Sequence, residues 1–399
     1  MQLHEFMHYP HLGCRLTMMR RYEWQGSGVP QEQQTRLQRA FFYFGAFNLI
    51  YQNLGLAINL FLVQPQRLQL SAFVAEISET CSVMGLTLVS ACDLWLLEHH
   101  RPDIEFLLSE LQKLFEQRTR NRNRVAYYYS TSSRLMRYTT IFFVFACIYY
   151  NLLPILELLY EMLAQSQHIR YKSQSNTWYP WQLFAAPDSY LSFLAAYVCQ
   201  GMSSLVGVAF IMASQFLLCF FITQMQLHFD TLASGLGALD ARQSTANMQL
   251  KNLIAYHSRL LKLGDLLNRI FNFIFLINFT TSTIAICLMC FAMVMINLAS
   301  AFKYSVGLMA FLVFTFFICY QGTKFTKASD KVLPAAFYNN WYEGDLAYRK
   351  MLLFLMMRAS QSRVLRAYKF TPVSLATFMA ILKFSYQLFT FVHSMISEN

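Results

Sequence analysis

The chain has 399 residues, of which 56% are hydrophobic, 16% are aromatic and only 13% are charged. The charged fraction is about half that of a soluble globular protein, so the composition predicts an integral membrane protein. The net charge of +11 does not indicate a nucleic-acid partner, because the basic residues form no stripe interleaved with exposed aromatic residues.

A helix needs about 20 apolar residues to cross the hydrocarbon core, and stretches of that length recur along the chain. We predict an all-α integral membrane protein with seven transmembrane helices. Spans one to four lie at 40–66, 71–97, 138–156 and 189–229, spans five and six form a hairpin within 270–323, and span seven lies at 372–395. Span four is longer than one crossing requires, so we expect it to continue as a helix into the cytoplasm.

Two of these spans contain charged residues. Span two contains Glu76, Glu79 and Asp93, and span seven contains Lys383. Charges inside membrane segments usually face the interior of a bundle or a water-filled cavity. We interpret Glu76 and Asp93 as lying near a membrane surface, and the sequence leaves the environment of Glu79 open.

The distribution of Lys and Arg predicts the orientation, because cytoplasmic loops carry an excess of these residues. With the N-terminus inside, 27 of the 32 basic residues fall in cytoplasmic segments and four fall in outer loops. We therefore expect a cytoplasmic N-terminus and an extracellular C-terminus. A G-protein-coupled receptor has the opposite orientation, and this chain also lacks the Asp-Arg-Tyr and Asn-Pro-x-x-Tyr motifs of that class.

These predictions divide the chain into four regions. They are a cytoplasmic N-terminal segment at 1–39, helices one to six at 40–322, a cytoplasmic anchor region at 323–371, and a seventh helix with a short extracellular tail at 372–399. We interpret His4, His8 and His11 as part of a solvated tail rather than a metal site. The sequence contains no Gly-rich phosphate loop and no Gly-x-Ser-x-Gly elbow, so we expect neither an enzyme nor a cofactor.

Span seven has one polar face. Polar side chains recur there every three or four residues, at Lys383, Gln387, Thr390 and Ser394, which places them along one side of a helix. Phe391 and Met395 flank this stripe and are candidates for an apolar constriction. The stripe has two interpretations, hydrogen bonding between helices of a bundle or the wall of a water-filled pore, and the residues alone do not decide between them.

The outer halves of several spans are rich in aromatic and apolar residues. Candidate pocket residues are Phe145, Tyr149, Tyr197, Met202, Tyr304 and Phe311. An apolar pocket with a few hydroxyl groups suits a small volatile or lipophilic ligand. Aromatic residues at helical spacing also occur simply as packing, so the pocket is a hypothesis.

The C-terminal half resembles the insect odorant receptor family. The resemblance lies in Ala-Tyr-Lys-Phe-Thr-Pro-Val-Ser-Leu-Ala-Thr-Phe at 367–378, Ser-Tyr-Gln-Leu-Phe-Thr at 385–390, Cys-Tyr-Gln-Gly at 319–322 and, more loosely, Trp-Tyr-Pro at 178–180. The first half resembles the family only in topology. Gustatory receptors typically carry Thr-Tyr, five residues and then Gln-Phe in span seven, whereas this chain has Ser385-Tyr386 and then Val392-His393.

The resemblance implies an odour-tuning subunit of an odorant-gated, non-selective cation channel. It implies four subunits around one pore, assembly with a shared co-receptor, and a plasma-membrane location, in the dendrites of sensory neurons. It also implies that span seven lines the pore, with the gate region at Gln387, Thr390, Phe391, Ser394 and Met395. The alternatives are a gustatory-type channel of the same architecture and, in a different class, a membrane transporter, which would predict an internal repeat.

The orientation is directly testable. An epitope tag at the C-terminus should bind antibody on intact cells, and the same tag at the N-terminus should bind only after permeabilisation, because the bias of basic residues holds the N-terminus inside. The measurement is immunofluorescence on cells expressing each tagged chain. Labelling in the reverse pattern would contradict the predicted orientation.

Overall fold

A computed structural model describes residues 2–26, 34–63, 70–119, 121–163, 173–183, 189–295 and 298–397. The helices are α1 Leu3–Phe6, α2 His8–Leu16, α3 Arg36–Ile58, α4 Leu70–His99, α5 Arg101–Arg118, α6 Arg122–Leu163, α7 Tyr190–Gly237, α8 Ala246–Met295, α9 Leu298–Asp330, α10 Val332–Phe337, α11 Leu346–Ala359 and α12 Leu375–Ser397. A π-helical turn at Asn59–Val63 and 3₁₀ turns at Pro180–Leu183 and Trp341–Glu343 complete the helical elements. Strands β1 Arg366–Ala367 and β2 Thr371–Pro372 pair antiparallel before α12. The prediction of an all-α membrane protein is confirmed.

Six helices in the described part of the chain are long and apolar enough to cross a membrane, namely α4, α6, α7, α8, α9 and α12. The predicted first span is the helix α3, whose apolar character is interrupted by Asn48 and Gln52. Both side chains are buried and find partners within the protein: Asn48 donates to the Cys199 carbonyl over 2.7 Å, and Gln52 donates to Thr177 Oγ1 over 2.6 Å. The opposite side of α3 exposes the large apolar side chains of Tyr43, Phe47, Ile50 and Leu54, as a lipid-facing surface requires.

Helix α7 is the centre of the bundle. In the most apolar stretch of 18 residues in α7, 83% of the stretch is buried. The corresponding stretch of α12, at the periphery, is only 17% buried. α7 has 48 residues and α8 has 50, so each is about 70 Å long at 1.5 Å per residue and extends well beyond a hydrocarbon core of about 30 Å. The expectation that span four continues as a helix beyond the bilayer agrees with this length.

The anchor region packs against the turn between α7 and α8. The Asn339 side-chain amide donates to the carbonyl of Leu236 over 2.9 Å, and Tyr348 donates to Asn339 Oδ1 over 2.8 Å. Arg242 forms an ion pair with Glu343, and the hydrogen bond from Arg242 lowers the pKa of the Glu343 carboxyl below its usual range. These contacts hold α10 and α11 on the end of the α7–α8 hairpin.

The N-terminal segment is part of the fold, and its interpretation as a solvated tail is wrong. Helix α2 packs against α7, and Leu3, Met7 and Cys14 are buried almost completely. The sequence interpretation missed this because α1 and α2 are short and bury only a few apolar residues each. No cluster of three or more His, Cys, Asp or Glu side chains suited to a metal occurs among the described residues.

The contact between α2 and α7 depends on Gly13. A Cβ atom at this position would lie 2.7 Å from the Cα and Cβ of Ala213, which is closer than real Cβ contacts allow. The absence of a side chain at Gly13 therefore lets the two helices approach each other.

Replacing Gly13 with Ala should lower the free energy of unfolding by about 1–3 kcal/mol, because the new methyl group overpacks the α2–α7 contact. The measurement is thermal unfolding of the purified protein in detergent. Gly237→Ala is the matched control, since a Cβ there meets nothing within 4 Å, and it should be neutral or slightly stabilising. Equal melting temperatures for both variants would contradict the close packing of α2 on α7.

Candidate ligand cavity and pore helix

A cavity of about 150 Å³ lies inside the bundle, between α4, α6, α7, α8 and α9. Its wall comes from the first half of α4, α7 and α9 and from the last part of α6 and α8, which is the end of the bundle predicted to face outward. A dry apolar cavity of this size is large enough for a molecule such as benzene. The position and the size both suit a small organic ligand.

The greater part of the cavity wall is apolar. Phe143, Phe311 and Phe314 line it together with Ile211 and Met289, and all five side chains are buried. The rings of Phe143 and Phe314 meet edge to face, with their centroids 6.3 Å apart. Apolar walls of this kind favour transfer of an apolar ligand out of water.

A smaller part of the wall is polar. Tyr304 donates a hydrogen bond to the Glu79 carboxylate over 3.0 Å, and Tyr150 lies beside this pair in the wall. The buried hydroxyl of Ser203 also lines the cavity and has no hydrogen-bond partner within the described chain. A buried hydroxyl without a partner is costly, so a ligand with one polar group would gain a hydrogen bond there.

Two of the six predicted pocket residues line this cavity. Tyr304 and Phe311, both on α9, contribute to the wall. Phe145 is 59% exposed and stacks against Tyr149, with centroids 6.4 Å apart. Tyr197 donates to the Asn151 carbonyl over 2.7 Å, and neither it nor Met202 is among the residues of the wall. A role for any of the six in ligand binding stays a prediction.

On α6, the predicted pocket residues lie on a different side of the helix from the residues that line the cavity. The wall takes Phe143, Cys147 and Tyr150 from this helix, whereas Phe145 and Tyr149 lie on another side. All five positions are apolar or aromatic, so the sequence carries no signal that separates the inward side from the lipid side. Glu79, whose environment the sequence left open, lies in the cavity wall, as expected for a carboxylate inside a span, which usually faces the interior.

Asp93 also faces the interior of the protein. Its side chain is completely buried among the helices, and its location near a membrane surface stays a prediction. The hydroxyl of Ser214 lies close to this carboxylate.

Helix α12 packs on α8 and α9 through one narrow side. Thr377, Ile381 and Ser385 are buried there, and Ser385 donates to the Thr283 carbonyl over 3.1 Å. At 100° per residue the opposite side of the helix carries the predicted polar stripe, and all four members are exposed: Lys383, Gln387, Thr390 and Ser394. Within the described chain, nothing covers this side of α12.

The candidate gate residues lie beside this stripe. Phe391 is 61% exposed, and the hydroxyl of Ser394 donates back to the Phe391 carbonyl over 2.9 Å. The hydroxyl of Thr390 donates to the Gln387 carbonyl over 2.9 Å in the same way. Met395 lies in the helix, but its side chain is outside the described residues.

The chain is similar to known proteins in both sequence and fold. The sequence model of the 7tm odorant receptor family matches residues 74–386. The chain is 42% identical over 395 residues to the Drosophila melanogaster protein named odorant receptor 69a, isoform A, covering 99% of this chain and 100% of that protein. The fold is similar to that of the olfactory receptor OR5 from Machilis hrabei, with a TM-score of 0.79, 14% identity and 97% of each chain covered.

A second structure of the same Machilis hrabei receptor, in complex with eugenol, matches with a TM-score of 0.77 and 13% identity, covering 98% of this chain and 100% of that chain. At these identities the two structures establish similarity of fold alone. The family match covers more than half of the chain, and the Drosophila relative aligns over nearly all of it. On this sequence similarity, and with the multi-pass helical fold described above, the chain belongs to the odorant receptor family.

Proposed function

We propose that this odorant receptor is the odour-binding subunit of a ligand-gated, non-selective cation channel that works with a co-receptor subunit, as one of four chains around a pore. We further propose that it resides in the plasma membrane of sensory-neuron dendrites, with its N-terminus in the cytoplasm. The proposal is supported by two structural features, a small, mostly apolar cavity in one half of the bundle and an uncovered polar side on the last helix.

The uncovered side of α12 is the single observation that carries the channel proposal. A side that presents Lys383, Gln387, Thr390 and Ser394 is unsuited to lipid, because polar groups in the hydrocarbon region are costly without partners. It must therefore face other subunits or water. A pore assembled from several chains supplies both.

Lys383 bears on how the channel is built. Within the described chain no carboxylate pairs with it, and it is exposed on the polar side of α12. Four such cations around one pathway would oppose the passage of cations, since like charges repel strongly where water is scarce. A heteromer in which a co-receptor supplies most of the pore helices reduces this repulsion.

Two helices connect the cavity to α12. In α9, Phe314 lines the cavity, Phe316 meets Phe378 of α12 with centroids 5.6 Å apart, and Thr323 Oγ1 accepts a hydrogen bond from the Leu375 N–H over 2.9 Å. In α8, Met289 lines the cavity and Phe291 meets Phe389 of α12 with centroids 6.4 Å apart. A shift of either helix on ligand binding would reach the pore helix directly.

A ligand opens the channel only to the extent that it binds the open state more tightly than the closed state. We propose that the ligand is a small lipophilic molecule with one hydrogen-bonding group. The apolar wall would enclose its body, and the hydroxyl of Ser203 or Tyr304 would bind its polar group. The complex of the Machilis hrabei receptor with eugenol, a small phenol, is consistent with a ligand of this class.

The anchor region is a candidate contact between subunits. Large apolar side chains are exposed there at Phe337, Tyr338, Tyr342, Leu346 and Phe354. Exposed apolar clusters of this kind mark protein interfaces, and enrichment in Tyr and Phe is typical of interface cores. We propose that this surface meets the neighbouring subunits.

The cavity assignment is testable through ligand size. Replacing Phe311 with Ala enlarges the cavity and should shift the preferred length in a homologous series of alcohols upward, with potency changes on the order of tenfold. The measurement is the dose–response curve of the current in cells that also express the co-receptor. Phe145→Ala makes the same chemical change outside the cavity and should leave the preference unchanged. If the two variants behave alike, the ligand binds elsewhere.

The gate assignment is testable through the resting current. A ring of apolar side chains can close a pore by excluding water, so Phe391→Ser and Met395→Ser should each raise the current without odorant or alter ion selectivity. Neither should change the rank order of odorants. Phe44→Ser, which changes an exposed Phe on α3, is the control. Unchanged leak and selectivity in both gate variants, at equal surface expression, would exclude these residues from the gate.

A further inference from the structure

The ligand cavity is polar at one end and apolar at the other. On α4, α7 and α9, the wall residues nearest the start of each helix are mainly polar, and those further along are mainly apolar. The polar set is Glu79, Ser82, Gln200, Ser203, Ser204 and Tyr304, and the apolar set is Leu86, Val208, Ile211, Ala310, Phe311 and Phe314. A ligand in this cavity is therefore oriented, with its polar group toward the end from which α4, α7 and α9 start.

Contacts between four helices assemble the polar end. Tyr304 of α9 donates to the Glu79 carboxylate of α4 over 3.0 Å. The neighbouring residues Tyr150 and Asn151 of α6 reach two further helices. The Tyr150 hydroxyl lies against the backbone of α9 one turn after Tyr304, and the Asn151 side-chain amide donates to the Ser204 hydroxyl of α7 over 2.9 Å. The polar groups of α4, α6, α7 and α9 thus lie at one level of the bundle.

Several hydroxyl protons of the wall are already used within the protein. Ser82, Thr87 and Ser204 each donate to a backbone carbonyl of their own helix, over 2.7, 3.1 and 2.9 Å respectively. The proton of the Tyr304 hydroxyl is donated to Glu79. The oxygen atoms of these four hydroxyl groups therefore offer lone pairs to a ligand but no proton.

Glu79 adds a stronger acceptor to this set. An ionised carboxylate only accepts, and its two oxygens together have sites for about four hydrogen bonds, so the bond from Tyr304 does not exhaust it. No Lys, Arg or His is among the described residues of the cavity wall. A carboxylate beside an apolar cavity is stabilised by every donor it gains, and a donor carried by the ligand would be one.

Ser203 provides the complementary group. Its side chain is buried, and its hydroxyl has no hydrogen-bond partner within the described chain, so its proton is available to an acceptor on the ligand. The polar end therefore requires a ligand group that both donates and accepts. A hydroxyl does both, whereas the carbonyl of an aldehyde only accepts and an ammonium group only donates.

We propose that the ligand of this cavity is an alcohol, whose hydroxyl donates to the Glu79 carboxylate and accepts from the Ser203 hydroxyl. The inference rests on the odour-binding function proposed above and specifies the class of its ligand. Glu79 is the residue that selects an alcohol over the corresponding aldehyde. Tyr304 is a positioning residue, because its hydrogen bond holds the carboxylate at the cavity wall.

The test compares benzyl alcohol with benzaldehyde, which share one ring and one carbon number. The affinity of each probe is obtained from the thermal stabilisation of the full-length protein in detergent at increasing probe concentration. Benzyl alcohol should bind at least about tenfold more tightly, since a hydrogen bond to a charged group contributes that much. Equal affinities, tighter binding of the aldehyde or binding of neither probe would overturn the inference.

Glu79→Gln changes the acceptor and keeps the shape of the side chain. The amide can donate to a carbonyl, so the ratio of alcohol to aldehyde affinity should fall to about one. Glu76→Gln is the matched control, because Glu76 lies one turn earlier on α4, accepts from Asn176 and is not among the wall residues. The control should keep the ratio of the unaltered protein. A full ratio in Glu79→Gln, or the same loss in both variants, would overturn the role of Glu79.

Ser203→Ala removes a hydrogen bond that both probes accept. Both affinities should fall about fivefold, while their ratio stays that of the unaltered protein. This small change in side-chain volume keeps the inference testable if Glu79→Gln does not fold. Unchanged affinities in Ser203→Ala would contradict binding of the ligand oxygen at Ser203. Benzylamine, which is charged at neutral pH and has no acceptor for Ser203, should bind more weakly than the alcohol, and tighter binding would overturn the assignment to alcohols.

The binding measurement is independent of channel activity, which separates this inference from the proposed function. A preference for the alcohol in the purified protein, without any current in cells that also express the co-receptor, would contradict the channel and leave the alcohol site in place. Currents of equal potency for both probes, altered by Phe311→Ala, would support the cavity as the odour site and overturn its selectivity for alcohols.

Discussion

Helix α7 is surrounded along its length by α2, α3, α4, α6, α8 and α9. Because protein covers it on nearly all sides, it can be apolar all round, and 41 consecutive residues from Ser189 to Phe229 contain no Lys, Arg, Asp or Glu. The helices that pack on it have one side toward α7 and another toward lipid or a partner. The positions of α3, α4, α6, α8 and α9 follow from which side of α7 each one covers, whereas α12 packs on α8 and α9.

The candidate site is built from the helices around α7. α4, α6, α8 and α9 leave a gap against its first half, and the aromatic side chains of α6 and α9 close most of that gap. α8 and α9 then continue to α12, where they hold one narrow side of the last helix. The same two helices thus border the cavity and carry α12.

The N-terminal segment extends the packing around α7 beyond the spans. Gly13 brings α2 into direct contact with α7, and the chain then turns at Met18 to enter α3. This arrangement buries apolar side chains of α1 and α2 and collects three arginines at the entrance to the first span. The N-terminal segment is polar in composition, yet in the fold it contains both buried apolar side chains and a cavity lined by arginines.

The sequence by itself indicated where the long apolar helices lie and in what order, because the length of an apolar stretch needed to cross the hydrocarbon core is a property of the bilayer and not of the fold. It also determined the polar stripe of α12, since spacing along one helix fixes which side chains share a side. Its C-terminal motifs were enough to indicate the family to which the chain belongs.

Only the tertiary structure decided which side of each helix faces inward. On α6, Phe145 and Tyr149 are as apolar as Phe143 and Tyr150, and in a membrane the lipid side and the protein side are both apolar. The burial of Asp93 and the docking of α2 through Gly13 also depend on contacts between residues far apart in the chain. Hydrophobic periodicity distinguishes inside from outside where water covers one side of a helix, and in this bundle lipid takes the place of water.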